Sequence, residues 1–197
     1  PLDRAGVTIV ARPTWDATHR LFDLRFTGME LDGALVLARG TVAQALVRRL
    51  VTLRDLGLAA DAVGGANALL DLTVEHLQVR RQFGRPLALF QALKHRCADL
   101  KTLIAAAEAL LLDTLGRLGD AIADAEDELK GKTAKYLASS TYAKVAEEAL
   151  QLHGGIGMAS EHQCHLFLKR ALLNDHPGRQ DDRYALDIAD SLLARLD

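Results

Sequence analysis

The sequence of 197 residues is 49% hydrophobic and 25% charged, and its formal net charge is −2. This composition is typical of a folded globular chain and excludes a disordered or collagen-like protein. The near-neutral charge gives no electrostatic reason to bind nucleic acid, and no run of about 18 uncharged apolar residues is present to span a membrane. We therefore expect a cytoplasmic protein in which Cys97 and Cys164 are reduced thiols.

The first forty residues carry a pattern typical of β-strands. Residues 6–11 and 21–26 are rich in β-branched and aromatic side chains that alternate with polar ones, and Pro13 lies between the two runs. Two strands alone do not make a stable domain. We predict that residues 1–40 form a strand pair that is the tail of a larger sheet.

From residue 41 the hydrophobic period changes to that of α-helices. Thr41 and Gln44 have the spacing of a capping box, and apolar residues then recur at steps of three and four through residue 80. This pattern predicts a helix about 60 Å long. Further helices are predicted over 89–118, 120–152, from a capping box at Ser160 to Pro177, and from residue 181. With their leucine and alanine stripes buried, residues 41–197 are predicted to form an antiparallel helical bundle.

A cationic joint interrupts the helical pattern after residue 79. Arg80, Arg81 and Arg85 crowd a short segment that also contains Phe83 and Gly84. Guanidinium groups bind pyrophosphate through paired hydrogen bonds. The same arginines would equally interact with the negative end of the preceding helix, and the sequence leaves both interpretations open.

A glycine-rich segment, Gln-Leu-His-Gly-Gly-Ile-Gly at residues 151–157, follows the third predicted helix. Glycine permits left-handed backbone and lets a ligand or another chain approach closely. The segment is not a GxGxxG motif after a strand, so a Rossmann nucleotide site is not predicted.

The sequence does not predict a metal site, although histidine and cysteine residues lie close together near residue 164. His162 and His165 would share one face of a helix, but Cys164 would lie on another. His95 and His153 are interpreted as structural residues that form hydrogen bonds.

Three motifs together resemble the C-terminal signatures of the acyl-CoA dehydrogenase family. They are Arg-x-Gln-Phe-Gly-Arg-Pro-Leu from residue 80, Phe-Gln-x-x-Lys-His-x-x-Ala-Asp from residue 90 and Gln-Leu-His-Gly-Gly-Ile-Gly-Met-x-x-Glu from residue 151. Their order and separation also fit, and the similarity is greatest to actinobacterial members implicated in steroid and cholesterol side-chain degradation. The resemblance implies a mostly α fold, an antiparallel four-helix bundle preceded by the tail of the family's β-domain.

The resemblance also implies an FAD site, shared between subunits of a homo- or hetero-oligomer. The residues expected at the pyrophosphate and adenine of FAD are Arg80, Gln82 and Phe83. The residues expected to line its adenosine side across the interface are Gln151, Gly154 and Gly155. The expected reaction is α,β-dehydrogenation of a bulky acyl-CoA, such as a steroid side-chain intermediate.

The catalytic base of the family has no obvious counterpart in this sequence. The usual glutamate position falls on Gly178 or Arg179, and neither side chain can abstract an α-proton. A minority of relatives place the base near Arg54. The adjacent Asp55 is therefore a candidate, weighed against a solvated charge on a helix face.

A full subunit of the family has an N-terminal helical domain and a complete β-domain, and this sequence carries only the last strands of the latter. Three interpretations follow. The chain is a subunit that works with a partner chain supplying the base, a catalytically silent helical scaffold, or a truncated fragment of a full-length acyl-CoA dehydrogenase.

Overall fold

The computed structural model describes residues 5–16, 18–30, 32–118, 125–175 and 180–194. Strands β1 (Val7–Arg12) and β2 (Leu21–Phe26) form an antiparallel hairpin, in which Val7 pairs with Phe26 and Arg12 with Leu21. Five α-helices follow within these ranges: α1 (Gly40–Val79), α2 (Gln91–Leu118), α3 (Ala125–His153), α4 (Cys164–Asp175) and α5 (Gln180–Leu193). The predicted strand pair and the mostly α fold are confirmed.

The core lies between α1, α2 and α3, with α4 and α5 packed against α3. Small residues face one another along α1 and α3, which lets the two helices approach closely. The fully buried alanines that line this contact are Ala59, Ala62, Ala66, Ala134, Ala138, Ala146 and Ala149. None of the described helices combines the length and the apolar composition needed to cross a membrane.

The prediction that all leucine stripes are buried is wrong at two places. Leu50 is 57% exposed and Leu53 is 49% exposed, because they lie off the face of α1 that packs against α3 and α5. On that face Thr52, which lies against Gly131 of α3, and Asp55, which Tyr184 of α5 contacts, are each 1% exposed. In α5, Leu186 and Leu192 are also exposed, since this helix buries only the side that faces α3.

The two predicted capping boxes are also wrong. Helix α1 begins at Gly40 after an N-cap residue, Arg39, whose side chain makes no capping hydrogen bond. Helix α4 begins at Cys164 because the chain continues in turns after Ser160, and its first amide donates to His162 Nδ1 at 3.1 Å. The predicted helix start at residue 120 and the predicted stop at Pro177 lie outside the described residues.

Arg170 on α4 ties the segment between the strands to the bundle. Its guanidinium donates to both carboxylate oxygens of Asp61 on α1, at 3.0 and 2.5 Å, and to Thr18 Oγ1 at 3.3 Å. Asn174 Nδ2 donates to the same Asp61 at 2.5 Å. Burial alone would raise the pKa of Asp61, but the hydrogen bonds from Arg170 and Asn174 outweigh it and lower that pKa.

Candidate functional site

The cationic joint after α1 forms a short hairpin. Strands β3 (Arg81–Gln82) and β4 (Arg85–Pro86) pair through a turn in which Phe83 has φ 54° and Gly84 has φ 79°. Positive φ at both central residues is the pattern of a type I′ turn, whose twist matches that of the two strands. The Leu87 amide donates to the Arg80 carbonyl at 2.9 Å and closes the hairpin.

Phe83 occupies an unfavourable conformation without being held by the core. It is the one non-glycine residue with positive φ in the described part of the chain, and its side chain is 87% exposed. A bulky residue in left-handed backbone is strained, and such strain concentrates at functional sites. The Phe83 ring packs edge-to-face with the ring of Phe90, and the two ring centroids are 6.1 Å apart. The Arg85 guanidinium lies 4.0 Å from the Phe90 ring centroid.

The other two arginines of the joint are available to a ligand. Arg80 and Arg81 are exposed, and within the described residues their side chains form no ion pair or hydrogen bond. The helix end is closed by backbone instead, because the Arg80 amide donates to the His76 carbonyl at 2.8 Å. Side-chain capping of α1 by Arg80 and Arg81, the alternative interpretation, is therefore not observed.

The glycine-rich segment presents open backbone. Helix α3 ends at His153, Gly154 has φ 64°, and a 3-10 turn covers Gly154–Met158. A Cβ built at Gly154 or Gly155 would meet no other atom within 4 Å, whereas one at Gly157 would press on His153 Cβ at 3.0 Å. Gln151 is exposed on the last turn of the helix. Packing requires Gly157 to be small, and the space over Gly154 and Gly155 stays free.

The ends of α1 and α3 meet through stacked histidines. The rings of His76, on the last turn of α1, and His153 lie 4.4 Å apart between centroids, and His162 lies 4.7 Å from His153. This contact brings the arginine hairpin and the glycine turn to the same end of the bundle. Sequence reasoning missed it, since no spacing rule connects residues 77 positions apart.

Of the three histidine rings, His76 and His153 are stacked, whereas His162 is tilted against His153. Among the described residues no group of three potential ligands is placed to hold a metal ion. His162 precedes α4 and does not lie on it, so the helical spacing assumed for His162 and His165 is wrong. His162 Nδ1 instead accepts the hydrogen bond from the first amide of α4.

Asp55 is buried, and the expectation of a solvated charge at this position is wrong. Its side chain is 1% exposed, because α5 packs over it. Arg54 donates to Asp55 Oδ1 from Nε and from a terminal nitrogen, at 3.0 and 2.7 Å, and the Tyr184 hydroxyl of α5 donates to Oδ2 at 2.7 Å. Gly178 and Arg179, where the family's usual base would fall, lie outside the described residues.

Known proteins are similar to this chain over the helical part that carries the three motifs. Residues 45–193 match the family model described as the C-terminal domain of acyl-CoA dehydrogenases. The chain is 46% identical over 114 residues to the acyl-CoA dehydrogenase IpdE2 of Mycobacterium tuberculosis, covering 58% of this chain and 33% of the relative. It is 37% identical over 164 residues to IpdE2 of Mycolicibacterium smegmatis, covering 83% and 46%.

Solved structures share the fold across the whole described chain. The ChsE4-ChsE5 complex from Mycobacterium tuberculosis superposes with a TM-score of 0.84 at 24% identity, over 97% of this chain and 50% of that chain. The steroid ACAD Tcur3481-Tcur3483 gives a TM-score of 0.79 at 24% identity, over 98% and 50%. The chain thus spans about half the length of these structures and less than half of its IpdE2 relatives. The chain belongs to the acyl-CoA dehydrogenase family, and its helices form the C-terminal domain of that family.

Proposed function

We propose that this chain is the C-terminal half of an FAD-dependent dehydrogenase that oxidises the α,β bond of a bulky acyl-CoA, such as a steroid side-chain intermediate. Proteins of the acyl-CoA dehydrogenase family generally use FAD. The observation that carries the proposal is the pair of exposed guanidinium groups of Arg80 and Arg81, which form no ion pair or hydrogen bond within the described residues. They lie at the same end of the bundle as the open backbone of the glycine turn.

The residues at this end of the bundle fit FAD chemically. A pyrophosphate needs cationic donors, which Arg80 supplies, and the exposed ring of Phe83 offers a face for a flat adenine. The backbone of Gly154 and Gly155 permits close approach because no Cβ intervenes. The side-chain amides of Gln151 and of Gln82 on the hairpin can each donate and accept hydrogen bonds. The chemistry that bound FAD would supply is to accept the hydride released from the substrate's Cβ.

The catalytic base is proposed to come from a segment or a chain other than the described residues. Removal of the α-proton requires a carboxylate that can reach the substrate. The contacts of Asp55 weigh against this role, because both of its oxygens already accept hydrogen bonds from Arg54 and Tyr184 in a buried position. The two-chain composition of ChsE4-ChsE5 is consistent with a second chain that completes the site.

An exposed apolar surface is consistent with assembly into an oligomer. Four apolar side chains on the first four turns of α1 are about half exposed or more: Val42, Val47, Leu50 and Leu53. Clusters of this kind on a protein surface mark contacts with another chain or domain. We propose that another acyl-CoA dehydrogenase chain, or the N-terminal half of the same protein, covers them.

The test is to co-express this chain with the acyl-CoA dehydrogenase subunits encoded beside its gene, and to purify the complexes. We expect yellow protein whose flavin absorbance bleaches when a steroid-type acyl-CoA is added. Colourless protein in every combination contradicts the proposal. Yellow protein that no acyl-CoA bleaches favours a silent scaffold. Intact mass compared with the coding sequence distinguishes a short subunit from a fragment.

A further inference from the structure

Three imidazole rings meet where the end of α1, the end of α3 and the turn before α4 converge. The ring centroids of this histidine cluster, His76, His153 and His162, lie 4.4 Å (76 to 153), 4.7 Å (153 to 162) and 6.5 Å (76 to 162) apart. His153 in the centre is 5% exposed, and the two outer rings are half-buried. The cluster is therefore a packed junction between three chain segments.

The hydrogen bonds of His153 define which of its nitrogens carries a proton. Nδ1 lies 2.8 Å from the Ala149 carbonyl oxygen, and a carbonyl only accepts, so Nδ1 holds the hydrogen. Nε2 is buried and has no hydrogen-bond partner within the described residues. A proton added at Nε2 would create a buried cation without an acceptor, which costs considerable free energy. The packed junction is compatible only with the neutral ring.

Among the described residues, no carboxylate contributes to the pKa of His76 or of His153. The groups that face the two rings are Arg80 just after α1, His162 in the turn before α4, and the Cys164 thiol of α4, whose sulfur lies 3.8 Å from His153 Nδ1. Burial raises the pKa of this thiol, which keeps it neutral. Burial is the largest cause that lowers the pKa of His76 and of His153. The positive charge of Arg80 lowers the pKa of His76 further, whereas the hydrogen bond to the Ala149 carbonyl partly offsets the effect of burial at His153.

The cluster adjoins both candidate FAD-binding segments. His76 lies one turn before Arg80, and its carbonyl accepts the Arg80 amide that closes the helix end. His153 directly precedes Gly154, where the backbone turns left-handed. The stacking of His76 on His153 therefore joins the end of α1, which leads into the arginine hairpin, to the end of α3, which leads into the glycine turn.

We propose that His153 is a positioning residue: as a neutral ring packed between His76 and His162, it holds the arginine hairpin and the glycine turn next to each other, and protonation of His153 or His76 separates them. The ligand assigned to the two segments rests on the proposed function. The contact between the segments does not depend on it.

The direction of the pH effect follows from linkage. A histidine whose pKa is lowered in the packed state binds a proton more readily once the junction has opened. Protonation therefore favours the open state. The junction is therefore fully stable above the ordinary histidine pKa of 6.5 and loses stability as the pH falls below it. Each proton taken up on opening changes the opening equilibrium by about tenfold per pH unit.

The test is amide hydrogen exchange on the complete protein between pH 8 and pH 5, corrected for intrinsic exchange rates. We expect protection at residues 154–157 and 76–80 to fall by about tenfold per pH unit below pH 6.5, while amides around Ile104 in the middle of α2 stay protected. Protection that is independent of pH in both segments overturns the proposal.

Two matched variants assign the effect to the cluster. His76→Phe keeps a flat ring against His153 and removes one titrating group, so protection should fall less steeply below pH 6.5 than in the wild type. His95→Phe makes the same change at an exposed position on α2, and its protection should depend on pH as it does in the wild type. Identical profiles for wild type and the His76 variant contradict the proposal.

Flavin retention, followed by FAD fluorescence over the same pH range, separates this proposal from the proposed function. Acid-dependent protection in a protein that holds no flavin at pH 8 supports the junction and contradicts the FAD assignment. Flavin that is lost with the same pH dependence as protection supports both. Flavin retained equally at pH 8 and pH 5, while protection is lost, overturns the positioning role.

Discussion

Gly65 on α1 lies directly beneath the aromatic ring of Tyr142 on α3. A Cβ at residue 65 would lie 2.5 Å from Tyr142 Cζ and 2.7 Å from its hydroxyl oxygen, far inside normal van der Waals contact. Tyr142 is 1% exposed, so its ring has little room to move. At the adjacent Gly64 a Cβ would meet nothing within 4 Å. Two neighbouring glycines in one helix therefore have different structural roles.

The pair predicts opposite effects of the same substitution. Gly65→Ala should destabilise the protein by about 1–3 kcal/mol, because the methyl group overpacks the Tyr142 site. Gly64→Ala should stabilise it by about 0.5–1 kcal/mol, because alanine has less backbone entropy to lose in a helix. Urea denaturation measures both. Equal effects of the two substitutions would show that the α1–α3 contact is not as close as described.

Tyr184→Phe tests the attachment of α5. The change removes the hydroxyl that donates to buried Asp55 at 2.7 Å and also accepts from Arg54 at 3.0 Å. The loss of one hydrogen-bond donor to a buried carboxylate should lower the free energy of unfolding by about 1–3 kcal/mol. The matched control is Tyr136→Phe on α3, whose hydroxyl has no partner among the described residues and should change the free energy of unfolding by less than about 0.5 kcal/mol.

Phe83→Asn tests whether backbone strain is retained for binding. Asparagine tolerates positive φ, and Asn-Gly is the preferred pair for a type I′ turn. We expect the variant to unfold at the same or a higher denaturant concentration than wild type, while its FAD retention falls. A variant that is less stable and binds FAD normally would contradict the proposed role of this exposed ring.

Arg80→Ala tests the pyrophosphate assignment. Loss of a charge-assisted hydrogen bond is worth about 1.5–3 kcal/mol, which corresponds to a decrease in FAD affinity of about 10- to 100-fold. Helicity measured by circular dichroism should not change, since the Arg80 side chain follows the end of α1 and forms no ion pair or hydrogen bond within the described residues. Arg48→Ala, at an exposed arginine on α1, is the control and should bind FAD normally.

Asp61→Asn tests the electrostatic tie between α1 and α4. The pKa of Asp61 is lowered in the folded protein, so its ionised form stabilises the fold above the ordinary carboxyl pKa of 3.8. This contribution is lost as the pH falls from about 5 towards 3 and below. The variant should be less stable at pH 7, and its stability should depend less on pH over this range. Parallel stability curves for wild type and variant would contradict the tie through Arg170.

The helices, the strands and the family motifs were accessible to sequence reasoning because each depends on residues close in the chain. A period of three to four residues predicted α1 through α3, and alternation predicted β1 and β2. The candidate binding residues came from motif resemblance and from the chemistry of arginine and glycine. Their assignment to FAD stays a prediction.

Burial could not be predicted in the same way. Leu50 and Leu69 occupy equivalent-looking positions in the stripe of α1, yet the first is 57% exposed and the second fully buried. The difference arises because Leu50 lies off the face of α1 that packs against α3 and α5, on which the nearby Thr52 is buried. Asp55 looked like a surface charge, and only the packing of α5 with Tyr184 made it a buried hydrogen-bond acceptor.

Local spacing in the chain thus specified the elements and the motifs, since helical periodicity and turn chemistry act over a few residues. The stacking of His76 on His153, the fit of Gly65 under Tyr142 and the tie of Asp61 to Arg170 were decided by tertiary structure alone. Each joins residues more than 75 positions apart. Such contacts depend on the lengths, crossing angles and relative rotation of packed helices, which no short stretch of sequence encodes.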